Sequence, residues 1–81
     1  MIDGGHTEAV VTSDTQKAIA LLRPGGLVLW HDYCPDEAVR RTCDSVRGVL
    51  AAIENNHQWL ATQLADLFWV EPSWILVGVK R

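Results

Sequence analysis

Arg23-Pro24-Gly25-Gly26-Leu27-Val28-Leu29-Trp30-His31-Asp32-Tyr33 is the stretch that decides the fold. A proline and two glycines cannot carry a helix onward, so the segment before them ends there. Leu27 to Trp30 is an unbroken apolar run without alternation, the pattern of a strand covered on both faces and therefore parallel to its neighbours. The run leads into His31-Asp32-Tyr33. Upstream, Asp3-Gly4-Gly5-His6 follows Met1-Ile2, which reads as the last two residues of another strand. Ligands of open α/β sheets gather beyond the carboxyl ends of parallel strands. Asp3, His6, His31 and Asp32 are therefore expected along one rim, as metal-binding or proton-handling groups.

The rest of the chain fits around this unit. A helix is expected from Glu8 to Leu22, capped by Thr7, with Val11, Ala18 and Leu22 on its apolar face, Ile19 beside them, and Asp14 and Lys17 turned outward. A second helix is expected from a cap at Asp36 to about Asn55, burying Val39, Cys43, Val46, Leu50 and Ile53. Asn55-Asn56 closes it, since asparagine tolerates the left-handed conformation of helix ends. One strand lies within Trp59–Val70, Glu71-Pro72-Ser73 breaks the run, and Trp74–Lys80 is the last strand. So short a break makes these two an antiparallel hairpin. The expected fold is a parallel β-α-β unit closed by a hairpin, an α/β layer. Met1-Ile2 is too short to pair along the whole strand ending at Trp30, leaving a nearly bare flank that invites pairing with another chain.

At 81 residues the chain holds one domain at most, with 48% hydrophobic and 21% charged residues, ordinary for a globular protein. A net charge of −3 gives no basic footprint for nucleic acid or an anionic membrane surface. No apolar run reaches the roughly 18–20 residues needed to span a bilayer, and no signal segment opens the chain, so a cytoplasmic location is expected. Cys34 and Cys43 have neither redox-pair nor zinc-knuckle spacing and read as free thiols. His57 reads as solvent-facing, and Arg40-Arg41 as a solvated face. The tryptophans read as core or subunit interface rather than as a stacking platform, and Gly78 as a bulge or a close approach.

The segment from Ile2 to Tyr33 resembles the second half of a class I S-adenosylmethionine-dependent methyltransferase of the small-molecule O-methyltransferase-like group. The pattern is D-G-x-H … L-L-x-P-G-G … H-D-Y, carried here by Asp3, Gly4, His6, Leu21, Leu22, Pro24, Gly25, Gly26, His31, Asp32 and Tyr33, with Asp14 at the usual acidic helix position. Glu8 departs from it, standing where the family often has tyrosine. The resemblance implies a partial Rossmann-like sheet whose last, antiparallel strand is inserted beside the strand ending at Trp30. It also implies that the chain is a C-terminal half. The glycine-rich turn and the acidic residue that hold S-adenosylmethionine have no counterpart, since Gly4-Gly5 and Gly25-Gly26 do not form a G-x-G-x-x-G loop.

Carried over by position, Asp3, His31 and Asp32 would hold a divalent cation, Mg²⁺ or Mn²⁺, with His6 nearby. Such an ion orients a hydroxylated small-molecule acceptor and lowers its pKa. In the alternative catalytic role, a histidine (His31 or His6, beside Asp32) acts as general base. The structural alternative makes Asp3 and Asp32 caps of the helices that follow, and His6 a loop hydrogen-bonder. The functional expectation is a truncated or split methyltransferase-like domain, inactive alone, whose partner is a chain supplying the N-terminal half. The competing expectation is a non-catalytic module that forms a dimer, or a higher oligomer, through its sheet edge.

Overall fold

A computed structural model describes Ile2 and residues 7–81. Its elements run α1 (Glu8–Leu21), β1 (Leu27–His31), α2 (Glu37–Thr42), α3 (Asp44–Asn55), α4 (His57–Gln63), β2 (Leu64–Val70) and β3 (Ile75–Lys80). The Thr7 side chain accepts a hydrogen bond from the Val10 N–H at 3.3 Å and so starts α1. The helix buries Val11, Thr15 and Ile19, successive fourth residues on one face, while Ala18 and Leu22 pack at the margin of the core. Gly25 turns the chain towards β1 with a φ of +82°, a conformation that glycine adopts without steric cost. Its N–H donates to the Lys80 carbonyl at 2.8 Å, tying this turn to the end of β3.

The helix expected from Asp36 to Asn55 is two helices. Asp36 caps the first as expected, accepting from the Val39 N–H at 3.1 Å. Cys43 then takes an extended conformation, φ −116° and ψ 110°, and interrupts the ladder. Side chains compensate for the break. Thr42 Oγ1 donates to the Ala38 carbonyl at 3.1 Å, and Arg47 Nη1 donates to the Arg41 carbonyl at 2.9 Å and to that of Arg40 at 3.3 Å. Arg47 is held in turn by an ion pair with Asp44. Asn56 follows α3 at φ −113°, so the helix closes without the left-handed residue expected there. The chain instead re-enters a short helix, α4, where a loop or strand was expected.

The sheet has three strands in the order β1-β3-β2, all antiparallel. The hairpin forms as expected, and β3 lies between β1 and β2, the position implied by the resemblance. Parallel pairing is confined, among the described residues, to the single Ile2–Trp30 bridge. There the Ile2 N–H donates to the Leu29 carbonyl at 2.8 Å and the His31 N–H to the Ile2 carbonyl at 3.1 Å.

The main core joins Val11 and Ile19 of α1, Val49, Ala52 and Ile53 of α3, and Leu60 of α4 to Ile2, Val28, Trp30, Leu64 and Leu76. Trp30 is fully buried, and its indole N–H donates to the buried Thr15 hydroxyl at 2.8 Å, as a tryptophan removed from water requires. Gly78 explains itself here. A Cβ at that position would sit 2.9 Å from Leu64 Cδ1, 3.0 Å from Val28 Cγ1 and 3.2 Å from Trp30 Cζ3. The position is a close approach; the sheet's irregularity lies elsewhere, between Leu64 and Asp66.

All these helical contacts fall on one face of the sheet. Side chains alternate along strands, and in the observed register the opposite face carries the row Leu29–Val77–Phe68, flanked by Leu27–Val79 and Ile75–Val70. None of these residues belongs to either buried cluster of the molecule, although Val77, in the central strand, is itself buried. The expectation that β1 is covered on both faces is thus corrected: Val28 and Trp30 are buried, Leu29 is half-buried and Leu27 is exposed. At the outer edge, β2 carries its own guard. Leu67 stands opposite Gly78, and the outward-directed Leu67 N–H donates to the Asp66 carboxylate at 2.9 Å. No helix of the described residues is long and apolar enough to cross a membrane.

Candidate functional site

The carboxyl end of β1 is built by an abrupt change of backbone direction. His31 is the last paired residue of the strand, opposite Ile75. Asp32 then adopts a φ of +63°, a left-handed conformation that aspartate and asparagine reach more readily than other residues with a Cβ. The Tyr33 N–H re-anchors the chain by donating to the Trp74 carbonyl at 3.2 Å. Within this corner His31 Nδ1 lies 3.0 Å from Asp32 Oδ1, with the His31 side chain 42% exposed and that of Asp32 20% exposed. Nδ1 itself is buried, and the approach is a close electrostatic contact rather than a well-directed hydrogen bond. The ring therefore turns its Nδ1 edge inward beside the carboxylate.

Of the four rim residues expected from sequence, His31 and Asp32 are brought together; Asp3 and His6 lie outside the described residues. The alternative that Asp32 caps the following helix is not met, because Asp36 performs that function. Tyr33, which carried no role in the sequence reading, is the hinge between the two cores: its ring packs against both clusters. Burial, and to a lesser degree the nearby Glu54 carboxylate, pushes its phenol above the usual tyrosine range. Behind it Cys34 is buried and Cys43 half-buried, both as free thiols. The sequence signal for Tyr33 was its place directly after the His-Asp pair; nothing local pointed to Glu54, which comes from α3.

Fit to the implied groups is incomplete. No group of three or more His, Cys, Asp or Glu side chains among the described residues is arranged to hold a metal ion. His31 and Asp32 supply two donors, fewer than a hard cation takes from a protein and waters combined. Two hollows of about 580 and 270 Å³ mark the surface. The larger is lined by Pro35, Glu37, Arg40, Arg41 and Arg47 at the junction of α2 and α3, where Glu37 pairs with Arg41 at 3.0 Å. The smaller lies between α4 and β2. Neither is lined by His31 or Asp32.

Residues 1–33 match a family model described as a methyltransferase domain. The matched segment ends on Tyr33, so it contains the strand-end corner with His31 and Asp32. No curated protein and no solved structure matches the chain.

Proposed function

We propose that the chain is the acceptor-side part of an S-adenosylmethionine-dependent methyltransferase domain with a partial Rossmann-like sheet, acting on a hydroxyl oxygen of a small molecule. The observation that carries this reading is the His31–Asp32 pair at 3.0 Å, at a strand's carboxyl end within the segment that matches the methyltransferase family model. His31 accepts the proton of the acceptor hydroxyl at Nε2. The Asp32 carboxylate beside Nδ1 favours the tautomer protonated there, which leaves Nε2 as the acceptor. The half-buried Tyr33 packs against both buried clusters directly behind the pair.

The portion that holds the methyl donor is supplied outside residues 1–81, and in this reading the isolated chain does not turn over. Asp3 and His6 would have to join His31 and Asp32 before a Mg²⁺ or Mn²⁺ site could form, so no step is derived through a metal. A non-catalytic interaction module is the second reading, favoured by the flank of β1 that Ile2 alone occupies among the described residues.

Nuclear magnetic resonance titration separates the two. Catechol, a small acceptor with adjacent hydroxyls, is expected to shift the His31 ring and the Asp32 and Tyr33 amides, while S-adenosylmethionine at millimolar concentration shifts nothing. Catechol leaving residues 31–33 unmoved overturns the acceptor site. Tight binding of S-adenosylmethionine overturns the proposal that its holding portion lies elsewhere.

A further inference from the structure

The break at Cys43 separates α2 from α3 and leaves a concave surface at their junction. The hollow there, about 580 Å³, falls in the ~300–1,000 Å³ range of small-molecule sites. Its lining is Pro35, Glu37, Arg40, Arg41 and Arg47, three cations against one carboxylate in a chain whose net charge is −3. Neither His31 nor Asp32 lines it, so a ligand held there is independent of methyl transfer at the β1 corner.

The three arginines are not equivalent. Arg47 is a strut: its Nη1 donates to the Arg40 and Arg41 carbonyls and its Nη2 pairs with Asp44, so it fixes the backbone that carries the other two. Arg40 and Arg41 are held far less firmly. The Arg40 guanidinium reaches Glu54 only as an ion pair spanning 3.9 Å. The Arg41 guanidinium donates to Glu37 at 3.0 Å, but the two side chains are 75% and 78% exposed. Exposed pairs of this kind contribute little in water. Each guanidinium has five N–H donors in one plane, so both keep donors for a ligand.

We infer that this hollow binds a phosphate monoester of a small organic molecule, its phosphoryl oxygens taken by Arg40 and Arg41. Such a group carries about −1.5 to −2 charge at neutral pH. Two guanidinium ions match that charge, and their planar forks suit phosphate geometry. A carboxylate ligand, with a single charge, would compete with Glu37 on equal terms, whereas the dianion displaces it from Arg41. The hollow is larger than inorganic phosphate alone fills. The Pro35 ring and the aliphatic stems of the arginines give the organic part an apolar wall.

Phenyl phosphate is the probe, followed through the arginine Nε–H resonances. It is expected to shift those of Arg40 and Arg41, and to bind ~10-fold more weakly to Arg40→Gln and to Arg41→Gln. Glu37→Gln removes the competing carboxylate and is expected to bind ~3-fold more tightly; damage to the fold would move affinity the other way. The exposed Arg23 lines neither hollow, and Arg23→Gln is expected to leave affinity unchanged. Benzoate and inorganic phosphate are each expected to bind more weakly than phenyl phosphate. Arg40 and Arg41 resonances unmoved at millimolar phenyl phosphate overturn the site. Equal weakening by Arg23→Gln also overturns it, for binding is then a diffuse attraction to positive charge. Benzoate or inorganic phosphate binding as tightly as phenyl phosphate overturns the ligand class.

Discussion

Replacing Asp32 by asparagine, alanine and glycine separates what its backbone does from what its carboxylate does. The φ of +63° at Asp32 places it where an L-residue pays roughly 1–2 kcal/mol relative to its favoured conformations. The short polar side chains of aspartate and asparagine offset part of that cost by local hydrogen bonding, and glycine does not incur it. Asp32→Asn is therefore expected within about 0.5 kcal/mol of wild type, Asp32→Gly equal or slightly more stable, and Asp32→Ala less stable by about 1 kcal/mol. With a urea dependence near 1 kcal/mol per molar for so small a chain, Asp32→Ala lowers the unfolding midpoint by about 1 M. Tryptophan emission reports the transition, since Trp30 is fully buried in the folded state. The catechol titration then reads the other half: Asp32→Asn and Asp32→Gly keep the fold and both lose the response of the His31 ring. If alanine proves as stable as asparagine, the corner stores no backbone strain. If asparagine preserves the ring response, the carboxylate is not the group that prepares His31.

Other consequences are as direct. Gly78→Ala drives a methyl group against Leu64, Val28 and Trp30, so it is expected to destabilise by about 1–3 kcal/mol. Leu64→Ala in the same chain should relieve part of that loss, and strict additivity of the two changes would refute the contact. Thr15→Val leaves the buried Trp30 indole N–H without its acceptor and is expected to cost about 1–3 kcal/mol in urea unfolding; a neutral result would mean that another acceptor replaces it. Because the Tyr33 phenol is raised in the folded state by burial and by Glu54, the unfolded chain ionises first. The stability this contributes is complete below about pH 10 and falls as pH rises from there through the folded value. Tyr33→Phe removes that alkaline dependence, checked by comparing midpoints at about pH 9 and pH 11. Arg47→Met keeps the aliphatic stem but releases the Arg40 and Arg41 carbonyls at the end of α2, and is expected to cost about 1 kcal/mol.

Local patterns foretold what local forces decide. Thr7, Asp36 and the Pro24-Gly25-Gly26 turn act where the sequence placed them, because capping and turn formation involve residues a few positions apart. The hairpin was legible for the same reason. Cys43 was not: an apolar residue at helical spacing looks like core, and the interruption depends on Arg47 reaching back across it to the Arg40 and Arg41 carbonyls. The unbroken run Leu27–Trp30 does signal a strand meant for two covered faces, yet periodicity says nothing of whether the chain supplies both covers. At the site, adjacency made His31 and Asp32 legible as a pair. The inward turn of Nδ1 and the influence of Glu54 on Tyr33 arise from packing between distant segments.

The two sides of the sheet differ in how they meet another strand. On one, the Asp66 carboxylate occupies the Leu67 N–H; on the other, only Ile2 sits against β1 among the described residues. A ribbon propagates by addition at both of its borders, and a border carrying an acidic side chain refuses the next layer. Further pairing is therefore directed to the border at β1, while the border at β2 is guarded against a second chain.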